Sequence, residues 1–273
     1  MAVILERLFM TLRTGFVIGI TALAVLGAVL APAMPQWLSY HHFADSRGMF
    51  RVPNFLNVGS NVAFLIVGMI GLFVTMSERA RFQFAIERWP YVVFFLGVLF
   101  TSAGSGYYHL APDNARLFWD RLPMTVAFMG LISSQIVDRI SIRAGIALLL
   151  PMLLVGAASV VYWRMTEDAG VGNVMPYGIL QAYSVIILLT MTVLMPSRYT
   201  LGSYLYWVFA WYLVSKVLET FDERAFALGH VVSGHTLKHL AAAAAGIPVF
   251  LMLIRRRLVS DGSGPSPITA SRD

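Results

Sequence analysis

The sequence contains no cysteine. Disulfides and thiolate ligands are thereby both excluded, so any transition metal has to be held by histidine and carboxylate. Charge is scarce as well: only 12% of residues are Asp, Glu, Lys or Arg, about half the ~25% usual in soluble domains. A water-exposed surface cannot be built from so little. The net charge of +6 sits singly or in short groups between apolar runs. A basic patch with interleaved aromatics is missing, which speaks against nucleic acid as a partner. No internal repeat and no second domain are visible.

Apolar residues are abundant: 58% of the 273 are hydrophobic, and the mean hydropathy is +0.72. A membrane-spanning helix needs about 20 apolar residues. Eight stretches qualify: 14–33, 54–76, 91–110, 119–137, 144–163, 174–195, 201–220 and 233–254. The expected fold is an all-α, polytopic membrane helix bundle. Residues 1–43 would form an N-terminal segment with one additional span, 44–257 the core domain, and 258–273 a Ser-, Gly- and Pro-rich disordered tail.

Some positions carry local expectations. Gly15 and Gly19 form a small-xxx-small pair, suited to close helix packing within the chain or between copies. Ala31-Pro32-Ala33 resembles a signal cleavage site, but the apolar run before it exceeds the usual ~7–15 residues, so the segment is read as a retained span. Asn57 and Asn61 share a helix face with Ser60 nearby; amides in lipid need partners, so that face points into the bundle. Pro123 suits the first turn of the fourth span.

Eight spans put both termini on one side. That side holds Arg7, Arg13, Arg79, Arg81, Arg88, Arg139, Arg143, Arg198 and Arg255-Arg256-Arg257; the other holds Arg47, Arg51, Arg116, Arg121, Arg164 and Arg224. The arginine-rich side is expected to be cytoplasmic. The chain is then an integral multi-pass membrane protein, in the inner or plasma membrane if bacterial.

Polar residues converge on the opposite side. Residues 102–124, SAGSGYYHLAPDNARLFWDRLPM, carry Ser105, His109 and Asp120, and residues 233–240, SGHTLKHL, add His235 and His239. Ser105 and His109 are spaced i, i+4, as are His235 and His239, so each pair shares one helix face. Three imidazoles suffice for a tetrahedral zinc with one open position, the mark of a catalytic site. Zinc lowers the pKa of bound water to roughly 7. Asp120 could move the proton to a leaving amine, and Ser105 could donate to a developing oxyanion.

Each residue also has a plainer reading. Asp120 could cap the fourth span, and Gly104-Ser105-Gly106 could simply allow close packing. Lys216 and Glu219 read as an ion pair at the membrane edge, and Lys238 as a snorkelling lysine. His41, His42 and His230 lie on the same side, and any of them could be a fourth ligand.

At these residues the sequence resembles the alkaline ceramidase family, within the CREST group of membrane hydrolases. The likeness rests on Ser105-x3-His109, on Asp120 in its WDRLPM context, and on Gly234-His235-x3-His239. NFLNVGSN at 54–61 is similar to the opening of the family's first core span. The resemblance spans roughly residues 44–257. It implies a seven-span core, preceded here by one extra span. It also implies zinc on His109, His235 and His239, water held by Asp120, and an oxyanion assisted by Ser105. The reaction would cleave the amide of a ceramide-like lipid to a fatty acid and a sphingoid base. Eukaryotic members also bind Ca2+ through an acidic segment before the core. Here that segment has only Asp45, and Asn54 stands where a Glu is expected, which leaves Ca2+ doubtful. Other classes stay open at this point: a CREST relative cleaving another lipid amide or ester, a receptor-like protein with a structural zinc, or a transporter.

Overall fold

The computed structural model describes residues 2–259, except for the side chains of 2–7; the tail expected to be disordered lies outside the described residues from Ser260 onward. The chain is all-helical. Among the described residues the only β pairing is two isolated bridges, Met49 with Val52 and Tyr199 with Leu258. The helices are α1 (Ala2–Leu30), α2 (Phe55–Gly59), α3 (Val62–Met76), α4 (Trp89–Leu110), α5 (Asn114–Arg139), α6 (Ile142–Asp168), α7 (Met175–Leu194), α8 (Tyr204–Thr220), α9 (Asp222–Ala227), α10 (Gly234–Ala244) and α11 (Ile247–Arg255).

Among the described residues, six helical stretches are long and apolar enough to cross a membrane: Leu8–Leu30, Phe55–Met76, Ala85–Leu110, Ile142–Asp168, Met175–Leu194 and Gly234–Arg255. The sequence reading counts two more. Of these, α5 has the length, at 26 residues, but carries charge toward both ends, at Arg116, Asp120 and Arg121 and at Asp138 and Arg139. The other, α8, is 17 residues long. The outside of the bundle is apolar, with Val29, Leu150 and Leu213 each more than 60% exposed. Polar side chains such as Asn57, Ser133, Ser134 and Gln135 are buried inside. In lipid that distribution is favourable, because polar groups need partners that only the protein can supply.

Two apolar stretches that read as single spans are each interrupted. The first breaks at Ser60 and Asn61, between α2 and α3, and the second at Ala245 and Gly246, between α10 and α11. At the first break side chains replace the lost ladder: Asn61 Nδ2 donates to the Asn57 carbonyl at 2.7 Å, and Ser60 Oγ donates to the same oxygen at 3.1 Å. The asparagine face does point inward, with Asn57 and Asn61 both buried.

Helix α4 packs between α3 and α5, α5 between α4 and α6, and α10 against α8. The main core includes Phe64, Phe95, Ile187, Val249 and Leu253; a smaller cluster of Tyr108, Leu117, Val160, Trp163, Val174 and Tyr177 lies apart from it. Three expectations are corrected here. Pro123 is not in a first turn but inside α5, which starts at Asn114. Its missing N–H leaves the Trp119 carbonyl without a helical donor. Helix α4 passes that carbonyl at Gly104, where a Cβ would come within 2.0 Å of the oxygen. Asp120 caps nothing: Asp113 is the N-cap of α5 and accepts from the Arg116 N–H at 2.7 Å. Finally, packing of Gly15 and Gly19 within the chain is not seen: among the described residues nothing lies within 4 Å of a Cβ at either. Helix α1 instead meets α7 elsewhere, as at Thr21 Oγ1 and Tyr183 Oη, 3.0 Å apart.

Candidate metal centre

Helix α4 ends at Leu110, and Ala111-Pro112 cannot continue it; Asp113 then starts α5 at once. This tight reversal brings the last turn of α4, with His109, and the second turn of α5, with Asp120, to one end of the bundle. Helix α10 begins at the same end. Ser233 caps it by accepting from the Thr236 N–H at 3.1 Å, which puts His235 and His239 in its first two turns.

The three histidines meet. His109, His235 and His239 are all buried, and each offers a ring nitrogen within 4.8 Å of the others. His109 Nε2 and His235 Nε2 are 3.3 Å apart. Two nitrogens bound tetrahedrally to one zinc at 2.0–2.1 Å would stand about 3.3–3.4 Å apart. The third ring is oriented by a serine: Ser60 Oγ lies 2.8 Å from His239 Nδ1. Because that hydroxyl donates to the Asn57 carbonyl, it accepts from Nδ1–H, which leaves His239 Nε2 as a lone pair for a metal. Three such rings buried together, with no carboxylate among them, direct nitrogen lone pairs toward one point. The donor set fits a divalent metal of the zinc type. His109 Nδ1 is buried with no hydrogen-bond partner among the described residues.

The surrounding shell draws on residues far apart in sequence. The Phe43 ring covers His109 and His235, with centroids at 4.7 and 4.3 Å. Asp222 ties the end of the bundle together: one oxygen accepts from the His235 N–H at 2.6 Å, the other from the Ala44 N–H at 2.9 Å. Thr236 Oγ1 donates to Asn57 Oδ1 at 2.7 Å. Of these, Asn57 was marked by the sequence pattern as facing inward, whereas Phe43, Asp222 and Thr236 were not singled out. For Ser60 and Asp222 a polar residue next to an apolar stretch was the available signal; for Phe43 there was none.

Ser105, Asp120 and His239 line one cavity of about 350 Å³, and Ser105 stands within hydrogen-bonding reach of the Asp120 carboxylate. Away from these groups the walls are mostly apolar, including Phe64, Phe94, Val98, Leu131, Leu188 and Phe209, with Thr101, Gln181 and Tyr212 among them. The polar end also holds Lys216, Glu219 and Lys238. Lys216 pairs with Glu219, as the spacing suggested. Lys238 does not snorkel: its Nζ lies 2.6 Å from Glu219 Oε1, on the cavity wall.

The other histidines stay apart. His41 is engaged on both nitrogens, with Tyr108 Oη and Asn114 Oδ1 each at 2.9 Å. Burial holds its pKa below the ordinary value. His42 and His230 are exposed. In the loop before α2, Arg47 grips both Asp45 oxygens at 2.8 Å. Asn54 donates to the His109 carbonyl at 2.9 Å. With its one carboxylate claimed by a guanidinium, this segment lacks the oxygen donors that suit Ca2+.

No protein-family model matches the chain, and no curated protein matches it either.

Proposed function

We propose that the chain is a zinc-dependent intramembrane amidase that hydrolyses the amide of ceramide-like lipids to a fatty acid and a sphingoid base. The observation that carries this reading is three converging imidazoles, one of which, His239, lines an apolar cavity together with Ser105 and Asp120. His109, His235 and His239 would hold the metal. Once bound, zinc would activate water and polarise the amide carbonyl. Asp120 takes a proton from the attacking water and delivers it to the leaving nitrogen. Ser105 Oγ donates to the oxygen on which charge develops. A C–O bond forms from water, the C–N bond breaks, and the amine departs with the proton. The acyl chain lies along the apolar walls. The same centre would serve a CREST relative acting on another lipid amide or ester.

We also count α5 and α8 as crossings. With eight spans the termini are cytoplasmic and the metal end faces the other side, as the arginines suggest.

The interrupted spans favour a second reading, since transporters commonly use broken helices. A metal or proton carrier would use the same histidines. Metal analysis of the purified protein and release of labelled fatty acid from ceramide separate the two. Stoichiometric zinc with turnover supports the amidase. Bound zinc without turnover on any lipid amide or ester sinks it and leaves a receptor-like or transporting protein. His235→Ala and His239→Ala should each lose zinc and activity, whereas Asp120→Asn should keep zinc and lose turnover.

A further inference from the structure

The polar end of the cavity is unbalanced in charge. Three cationic side chains, Arg121, Lys216 and Lys238, line it against two anionic ones, Asp120 and Glu219. Glu219 is shared: one oxygen binds Lys238 and the other Lys216. Lys238 Nζ has three donors and, among the described residues, only Glu219 as a partner. Arg121 is 6% exposed and makes no ion pair among the described residues. It is stacked 4.4 Å from the Trp163 ring centre and 4.8 Å from that of Tyr177. About one unit of positive charge is thus left facing a low-dielectric cavity, where uncompensated charge is costly. Lys238 sits one residue from His239 and one helical turn from His235, so the excess lies beside the site where the amide would react.

We infer that the lipid this cavity takes is acidic: an N-acyl amino acid, with a single carboxylate on the amine side of its amide, seated on Lys238 and Lys216. A single carboxylate offsets the unit that the side chains leave, and zinc held on the three imidazoles would add to the attraction rather than satisfy it. A neutral head group would leave the imbalance in place. The inference rests on the amidase reading for its chemistry but not for its binding claim. Water adds to the acyl carbon, the C–N bond breaks, and the products are a fatty acid and a free amino acid.

The test uses the full-length, zinc-loaded protein in detergent micelles with N-oleoylglycine and N-oleoylethanolamine, which share acyl chain and amide and differ in carboxylate against hydroxyl. A charge-assisted contact outweighs a neutral one enough to favour N-oleoylglycine about tenfold in kcat/KM. Lys238→Met should erase that preference and Lys238→Arg should keep it. Binding is measured separately with isosteres in which CH2 replaces the amide N–H, so that no turnover is needed, and wild type should again favour the acid about tenfold. Acid preference in binding without turnover of either amide would leave this inference standing and remove the amidase. Equal binding of the two isosteres by wild type overturns the inference, whether or not either amide is cleaved. So does a preference that Lys238→Met leaves unchanged.

Discussion

One hydroxyl sets which nitrogen of His239 is free. Ser60 Oγ is committed to the Asn57 carbonyl, so it can only accept from the imidazole, and the lone pair is left on Nε2. Partners of this kind typically matter by about 10–100-fold in metal affinity. Ser60→Ala should weaken zinc by that order without unfolding the protein, read as the midpoint of a competitive chelator titration. An unchanged midpoint would show that packing alone orients the ring. Phe43 acts differently, by covering two of the rings. None of these contacts could be read in advance, because a hydroxyl at residue 60 and a ring at 239 are adjacent only after folding. The i, i+4 spacing of His235 and His239 was legible, since helix geometry alone puts both on one face.

The α4–α5 hairpin is the element that positions half of the site. Its close approach depends on Gly104, which lies against the Trp119 carbonyl that Pro123 leaves without a donor. That neighbour is backbone and cannot swing aside. Gly104→Ala should therefore separate the helices at a cost of about 1–3 kcal/mol. Thermal unfolding in detergent should register the loss, together with weaker zinc binding, since His109 and Asp120 ride on the two arms. A wild-type melting curve would mean that the hairpin tolerates the wider spacing. The apolar pattern indicated both helices but mistook the start of α5, because Pro112-Asp113-Asn114 and Arg116 read as loop. The Asp113 cap fixed the true start. The breaks at Ser60 and Gly246 were hidden for another reason: each lies within a stretch whose overall hydropathy reads as one span, and hydropathy does not register a lapse in the α-helical ladder.

At the scale of the molecule, the loop before α2 is pinned over the metal end by the buried Asp45, which also receives Asn57 through its carbonyl oxygen. The Arg47 hydrogen bonds hold the Asp45 carboxyl below its usual pKa. A depressed carboxyl stabilises the fold above its unfolded value, about 3.9, and loses that contribution as pH falls through the folded value. Melting temperature followed from pH 7 to 3 should drop in the acid limb, and Asp45→Asn should flatten that limb. An identical profile in the variant would remove Asp45 from the acid response. Sidedness is equally open to measurement, because the chain has no native cysteine to interfere. Ala115 and Glu78 are exposed near opposite ends of α4. On intact cells an impermeant maleimide should label Ala115→Cys and spare Glu78→Cys; the reverse pattern would turn the metal end toward the cytoplasm.

The sequence alone determined the solvent. With so few charges and so many apolar runs, hydration of the backbone had to be replaced by helices in lipid, and the spacing of the histidines and of Ser105 assigned each pair to a helix face. Tertiary structure decided everything that joins those faces. It brought three remote imidazoles to one spot, set Gly104 of α4 against the Trp119 carbonyl of α5, and turned Lys238 from the lipid edge to the wall of the cavity. Periodicity carries one helix's orientation about its own axis. The distance between two helices depends on what their neighbours leave room for, and that is settled only when the whole bundle packs.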